Sequence, residues 1–284
     1  MDANLQAFPG SVGRVFALGL TYRAHIQEVG AEETEPMMFA KHCEHTVGDC
    51  TLRLPDESLL WQELEKLDSS LAARFRKALK HMPLMLDYEV ELGIYLAEDV
   101  SAEQLDDPQW MPKVGLFLAN DVSARSLQIC GELAETEAQR MNYWTLSKSL
   151  PGFLPVADAM YFPESFSPEV FPDIELRLTV NGVEKQRDSC RNIIYSPKQV
   201  LHYALQSSGE RGLKTGDCIL TGTPAGVALR MTPFKKFMAK ILPASLRVKL
   251  GIQGGVKDPS YLKAGDEITI LAEPFGQQTL KIEA

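Results

Sequence analysis

Two glutamates separated by a single residue could together hold a metal ion. Residues 88–96 form a candidate β-strand, on which Glu89 and Glu91 project from the same face. Two neighbouring carboxylates repel each other unless a positive charge lies between them, and a hard divalent cation takes oxygen ligands and cancels both charges. The alternative is that this face of the strand meets water, where most acidic side chains lie.

A second polar group follows the candidate strand at residues 114–119. If a helix begins near Asp121, then Asp121, Arg125 and Gln128 share one face and present a carboxylate, a guanidinium and an amide together. Arginine is suited to gripping a substrate carboxylate through two hydrogen bonds. The alternative is a helix-capping aspartate that forms a local pair with Arg125.

Two further motifs carry weaker signals. His25 and Glu28 lie three residues apart and can touch on a helical turn, which would give an imidazole oriented as a general base for water. Residues 221–227, Thr-Gly-Thr-Pro-Ala-Gly-Val, predict a tight loop that offers backbone N–H groups and hydroxyls. This loop lacks the Gly-Lys-Ser/Thr ending of a phosphate-binding loop. Each motif alone is also compatible with a purely structural role.

The elements that position these residues are mostly short strands. Residues 56–82 predict a helix, with Asp56 as its N-cap, an apolar stripe at helical spacing and Pro83 as its end. An Asn-Gly pair at residues 181–182 predicts a tight hairpin after an alternating strand. Short strands with few long helices predict an α+β fold around a rolled or barrel-like sheet. The candidate strands cover residues 15–20, 88–96, 114–119, 174–180, 219–221, 267–271 and 279–283.

Composition excludes several classes of protein. The 284 residues include 29 basic and 38 acidic side chains, and this net charge of −9 argues against binding to nucleic acid. Five cysteines indicate a reducing compartment rather than a disulfide scaffold. The sequence shows neither a signal peptide nor a run of 18 apolar residues, so we expect a cytoplasmic protein without membrane contact.

Taken in order, the motifs resemble the fumarylacetoacetate hydrolase family, from about Gly13 to the C-terminus. The order is far more specific than any motif alone, and it favours the functional interpretation of each. The matching phrases are Gly-Leu-Thr-Tyr-Arg-Ala-His at 19–25, Asp-Tyr-Glu-Val-Glu-Leu at 87–92, Asn-Asp-Val-Ser-Ala-Arg at 120–125, Trp-Thr-Leu-Ser-Lys-Ser at 144–149 and Gly-Asp-Cys-Ile-Leu-Thr-Gly-Thr-Pro-Ala-Gly-Val at 216–227.

The resemblance implies a mixed β-roll with peripheral helices, a homodimer, and bound Mg²⁺ or Mn²⁺, with Ca²⁺ as a further candidate. It implies one catalytic domain over residues 13–284, with insertions at 56–82 and 228–258. By matching position, three groups of residues receive roles. The metal ligands would be Glu89, Glu91 and Asp121, the catalytic residues His25, Glu28 and Lys148, and the substrate-binding residues Arg125, Gln128, Gly222 and Thr223.

The implied activity is hydrolysis of a C–C bond in a small anionic 2-oxo acid of the acylpyruvate type. The metal would stabilise an enolate, His25 would activate water, and Lys148 would stabilise developing negative charge. The same site could decarboxylate oxaloacetate or isomerise an unsaturated 2-oxo diacid. The His25–Glu28 pair favours hydrolysis. A binding protein without activity is a further alternative, which the intact set of site residues disfavours.

The chain departs from the family pattern at its two insertions and at His42, where the family commonly has proline. His42, Cys43, His45 and Cys50 could form a zinc cluster, but their spacing fits no common zinc motif. Residues 230–249 contain six basic and no acidic side chains. A membrane surface or an anionic partner could bind this segment. We favour a lid or dimer-contact helix whose lysines attract anionic substrates.

Overall fold

The computed structural model describes residues 4–32, 36–230, 232 and 241–284, and the α+β prediction is confirmed. The helices are α1 (Arg23–Val29), α2 (Glu57–Leu67), α3 (Ser69–Ala78), α4 (Ala102–Asp106), α5 (Arg125–Cys130), α6 (Glu137–Lys148), α7 (Pro197–Ser207) and α8 (Ala244–Gly255). The strands are β1 (Leu5–Ala7), β2 (Val15–Gly19), β3 (Met37–Lys41), β4 (His45–Val47), β5 (Cys50–Arg53), β6 (Leu86–Asp87), β7 (Val90–Leu96), β8 (Val114–Asn120), β9 (Ser123–Ala124), β10 (Leu154–Tyr161), β11 (Glu175–Val180), β12 (Val183–Ser189), β13 (Cys218–Leu220), β14 (Glu267–Ala272) and β15 (Gly276–Glu283). Each predicted strand is present, with ends shifted by at most three residues.

The larger sheet carries the candidate site. Its strand order is β1-β10-β8-β7-β13-β2-β3, and β4 also pairs with β10. β7 and β8 are antiparallel and almost wholly buried, which explains their nearly continuous apolar sequences. Gly93 lets the two strands pack closely, because a Cβ atom there would lie 2.1 Å from the ring of Phe117. The centre of this sheet is therefore a rigid support.

A second sheet packs against the first. Its order is β12-β11-β14-β15-β5, with β11 against β7 and β14 against β8. The predicted hairpin joins β11 to β12 through Asn181 and Gly182, whose φ angles are 52° and 75°. Positive φ at both positions matches the right-handed twist of the flanking strands. Apolar side chains between the two sheets form the main core.

The predicted single helix at residues 56–82 is wrong, because the structure has two helices there. Asp56 caps α2 as predicted, its carboxylate accepting from the Leu59 amide at 2.8 Å. Asp68 then ends α2 and caps α3, accepting from the Leu71 amide at 2.9 Å. The backbone of Asp68 is extended, so its carboxylate can accept a hydrogen bond from an amide of the next turn. This local hydrogen bond competes with continuation of α2. The helical region ends at Ala78, before Pro83.

The apolar stripe predicted on this region is buried apart from Leu67, which is 37% exposed beside the break. Its buried members are Leu60, Leu64, Leu71 and Phe75.

None of the helices within the described ranges is both long and apolar enough to cross a membrane.

Candidate active site

A cavity of about 540 Å³ lies beside the edge where β7 begins and β8 ends. Its wall includes side chains from β2, α1, β3, α5, α6 and α8. Seven of the predicted site residues line it directly: His25, Glu89, Glu91, Arg125, Gln128, Lys148 and Thr223. The other three, Glu28, Asp121 and Gly222, lie behind these and contact them.

Three carboxylates converge because of how β7 and β8 pair. Glu89 immediately precedes β7, Glu91 lies within it, and Asp121 immediately follows β8. Val90 opposes Asn120 in the antiparallel ladder, and the Asp121 amide donates to the Glu89 carbonyl at 2.8 Å. All three side chains are buried, and one oxygen from each lies within 4.8 Å of the others. The β-pairing therefore assembles the triad predicted from sequence as metal ligands.

Buried cations neutralise two of the three carboxylates. The Lys148 ammonium donates to Glu89 Oε2 and Asp121 Oδ2, each at 2.6 Å. The Lys41 ammonium donates to Asp121 Oδ1 at 2.6 Å, and Arg125 donates to Glu89 Oε1. Burial favours the neutral acid at Glu89, but Lys148 and then Arg125 outweigh it and lower the pKa of this carboxyl.

Glu91 lacks such a counterion among the described residues. Its carboxylate accepts one hydrogen bond, from the Gly222 amide at 2.8 Å. Burial, reinforced by repulsion from Asp121 and Glu89, raises the pKa of Glu91 well above its ordinary value. A divalent cation bound by the triad would supply the missing charge, and an all-oxygen donor set suits Mg²⁺, Mn²⁺ or Ca²⁺. The residues therefore fit the metal that the sequence predicted.

Arg125 does not share a helical face with Asp121, and that prediction is wrong. Residues 123 and 124 form β9, whose pairing with β6 holds them extended, so α5 begins only at Arg125. Asp121 neither caps α5 nor pairs with Arg125. Instead the Arg125 Nε donates to Asp87 Oδ2 at 2.7 Å, and its Nη1 donates to Gln128 Oε1 at 2.6 Å.

The predicted His25–Glu28 pair lies on α1. His25 Nδ1 is 3.6 Å from Glu28 Oε2, just beyond hydrogen-bond distance. Glu28 also accepts from the Gly226 amide at 2.9 Å and lies 3.4 Å from Arg230 Nε. Burial opposes ionisation of Glu28, but His25, the Gly226 amide and Arg230 together lower its pKa. Glu28 is therefore ionised near neutral pH and tied to the 221–227 loop.

Thr223 and Gly222 hold this loop against β7. Thr223 Oγ1 donates to the Val90 carbonyl at 2.9 Å and accepts from Gln186 Nε2 at 2.8 Å. A Cβ atom at Gly222 would lie 2.1 Å from Thr21 Oγ1, and its φ of 90° also favours glycine. Gly222 thus presents its amide to Glu91, whereas Thr223 reaches the cavity wall.

Sequence reasoning gave no role to Lys41 or Asp87. Lys41 is fully buried at the end of β3. The sequence signal that could have identified it is a lysine at the end of an otherwise apolar strand. Asp87 is buried and accepts from Arg125 and from the Ala228 and Leu229 amides, at 2.8 and 3.1 Å for the two amides. The sequence signal that could have identified Asp87 is its position two residues before Glu89. Asp87 fixes Arg125, which lines the cavity, and Lys41 fixes Asp121, which lies behind the cavity wall.

The two alternative sites have different outcomes. In the described ranges, the one group of three or more His, Cys, Asp or Glu side chains close enough to share an ion is the carboxylate triad, so the zinc cluster at residues 42–50 is not formed. His45 instead hydrogen-bonds the Pro9 carbonyl at 3.0 Å. The predicted basic helix falls mostly on residues 233–240, which lie outside the described residues. The later part of that segment forms α8, which packs on α5.

Comparison with known proteins assigns the family. The model for the C-terminal domain of fumarylacetoacetate (FAA) hydrolase matches residues 14–283, so the chain belongs to this family. A 2,4-didehydro-3-deoxy-L-rhamnonate hydrolase from Sphingomonas sp. is 26% identical over 274 residues, covering 95% of this chain and 73% of the relative. An uncharacterised protein of Pyrococcus abyssi is 27% identical over 219 residues, covering 75% and 79%.

Solved structures share the fold. A fumarylpyruvate hydrolase from Pseudomonas aeruginosa, crystallised with Mn²⁺ and pyruvate, superposes with a TM-score of 0.62 at 19% identity, covering 98% of this chain and 91% of that one. A 2-hydroxyhepta-2,4-diene-1,7-dioate isomerase from Mycobacterium marinum superposes with a TM-score of 0.54 at 23% identity, covering 96% of this chain and 75% of that one. Hydrolases and isomerases thus share this fold.

Proposed function

We propose that this protein is a divalent-metal-dependent hydrolase that cleaves a C–C bond in an acylpyruvate-type 2,4-dioxo acid. The observation that carries the proposal is the buried carboxylate triad, of which Glu89 and Glu91 line a cavity that His25 also lines. The hydrolases among its relatives and the Mn²⁺ and pyruvate in one similar structure support it. Water is added across the bond between C3 and C4, and the products are pyruvate and a carboxylic acid.

Glu89, Glu91 and Asp121 would hold Mg²⁺ or Mn²⁺. When bound, such an ion supplies Lewis-acid stabilisation of negative charge on a 2-oxo acid. Buried cations pair with two of the three ligands, and Lys41 fixes the orientation of Asp121 through a 2.6 Å contact. A preorganised ligand set avoids reorganisation when the ion and substrate bind.

His25 would take the proton from the attacking water. Glu28, held by the Gly226 amide and Arg230, lies 3.6 Å from His25 Nδ1 and would orient the imidazole. Lys148 donates two of its three N–H groups to Glu89 and Asp121, which leaves one donor for a substrate oxygen. Arg125, Gln128 and Thr223 would contact the substrate from the cavity wall.

The first experiment follows the enol absorbance of a small acylpyruvate, with Mg²⁺ or Mn²⁺ and with a chelator. We expect decay that requires the metal and is lost in His25→Ala, with pyruvate released in equal amount to the substrate consumed. The exposed variant His202→Ala serves as the matched control. Absence of decay at saturating metal would reject the hydrolase and favour a 2-oxo diacid isomerase or an oxaloacetate decarboxylase.

Homodimer formation, cytoplasmic location and a single domain over residues 13–284 remain predictions. Light scattering coupled to gel filtration measures the molar mass directly. A mass equal to that of one chain at micromolar concentration would reject the dimer.

A further inference from the structure

Helix α6 places three cavity-lining side chains at four-residue intervals. Arg140, Trp144 and Lys148 all line the cavity, so they share one face of the helix. At 1.5 Å rise per residue, the backbone at Arg140 lies about 12 Å along the axis from that at Lys148. Because Lys148 contacts the carboxylate triad, Arg140 marks a position two helical turns away from it.

The middle of this face is apolar and fixed. Trp144 packs edge-on against Phe39, with ring centroids 5.7 Å apart. A Cβ atom at Gly19 would lie 2.7 Å from the indole ring, so a larger residue there would displace it. Met37 and Ile129 also line the cavity. A hydrocarbon segment therefore suits the space between Lys148 and Arg140.

Two arginines lie at the far end of this path. Arg247 on α8 is held in place, with Nη2 at 3.2 Å from Glu132 Oε2 and Nη1 donating to the Leu242 carbonyl at 3.2 Å. Arg140 is exposed, and its side chain has no ion pair or hydrogen bond with any other described residue. Glu32 and Glu132 also line the cavity, so the mouth is not a broad positive surface. The group available to a ligand is the Arg140 guanidinium.

We propose that Arg140 binds a second anionic group of the substrate, a carboxylate at the end of the carbon chain distant from the 2-oxo acid. Arg247 flanks this subsite and adds positive charge that Glu132 partly offsets. The inference rests on the proposed function for the placement of the 2-oxo acid at the triad, and it makes the preferred ligands 2-oxo diacids. A planar guanidinium pairs with a carboxylate through two parallel hydrogen bonds.

Binding measurements test the subsite without relying on turnover. Isothermal titration with excess Mn²⁺ compares 2-oxoadipate with 2-oxohexanoate, in which a methyl group replaces the distal carboxylate. We expect the diacid to bind about tenfold more tightly, the usual effect of one charge-assisted contact near a surface. Arg140→Gln should bring the ratio close to one by weakening the diacid alone. Arg140→Lys should retain part of the preference.

Arg74→Gln is the matched control, because Arg74 is exposed on α3 and does not line the cavity. Equal affinities for the two acids in the wild type, equal weakening of both by Arg140→Gln, or failure of both to bind would each overturn the inference. If acylpyruvate hydrolysis is absent but the diacid preference depends on Arg140, the subsite stands and the hydrolase proposal fails.

Discussion

Glu91 offers the sharpest test of the metal site, because its replacement should have opposite effects with and without metal. The side chain is buried, receives one hydrogen bond from Gly222 and has no cationic partner in the part of the chain that the structure describes. Burial and repulsion from Asp121 and Glu89 raise its pKa. A carboxyl whose pKa is raised on folding destabilises the folded state once pH exceeds its unfolded value.

Glu91→Gln should therefore stabilise the metal-free protein at pH 8. Glutamine has nearly the same shape, and its Oε1 can still accept from the Gly222 amide. Removing a buried charge that lacks a counterion should gain about 1–2 kcal/mol, or about 2–4 °C in Tm for a chain of this size. The gain should vanish near pH 4, where Glu91 is protonated in both states, and should grow as pH rises.

With metal the order should reverse. An ion at a hundred times its Kd stabilises the wild type by about 2.7 kcal/mol, or about 5 °C. The variant loses one of three charged ligands, and a hundredfold weaker Kd would leave a gain of about 0.4 kcal/mol. Calorimetry measures the Tm of the wild type and of Glu91→Gln under four conditions, with chelator and with Mn²⁺ at pH 4 and at pH 8. The exposed variant Glu164→Gln is the control. A full Mn²⁺ shift in Glu91→Gln, or lower metal-free stability than the wild type at pH 8, would refute the reasoning.

Three further predictions concern the supporting residues. Lys41→Met should lower the free energy of unfolding by about 1–3 kcal/mol in urea, because it removes one of the two buried cations that contact Asp121; an unchanged free energy of unfolding would contradict this. His25→Ala should reduce acylpyruvate hydrolysis more than oxaloacetate decarboxylation, measured on one preparation, and equal losses would reject its role in activating water. Asp68→Ala should lower stability by about 1–2 kcal/mol while activity is retained, since it removes the α3 cap and an acceptor for Tyr143; unchanged unfolding would show that the cap contributes nothing.

Local pattern was sufficient for the strands and for placing Glu89 and Glu91 on one face, whereas Asp121 was added to the triad by the family resemblance. Strand candidates were located to within three residues because apolar runs and turn residues bound them closely. Glu89 and Glu91 needed only the strand periodicity. Asp121 joins them because β7 and β8 are consecutive large-sheet strands that pair antiparallel, the simplest arrangement for neighbours in sequence.

The errors arose where a distant partner decided the local structure. Pairing of β9 with β6 holds residues 123–124 extended, which no helical pattern in that stretch reveals. The helix predicted over residues 56–82 passes through Asp68, yet the Asp68 side chain caps a new helix and accepts a hydrogen bond from the distant Tyr143 hydroxyl. Buried polar groups such as Lys41 depend on long-range charge pairing, and the sequence around them shows only an interrupted apolar run.

Two parallel strand pairings can form only late in the synthesis of the chain, because the partner strands lie far apart in sequence. β2 pairs with β13, about 200 residues later, and β5 pairs with β15, about 230 residues later. At synthesis rates of about 5–20 residues per second, β2 waits about 10–40 s for its second neighbour. During this interval an apolar strand edge is open to other chains, which is the state that chaperones protect. Substitutions that slow the docking of β13 should therefore reduce the yield of folded protein in cells without changing the stability of the molecules that complete folding.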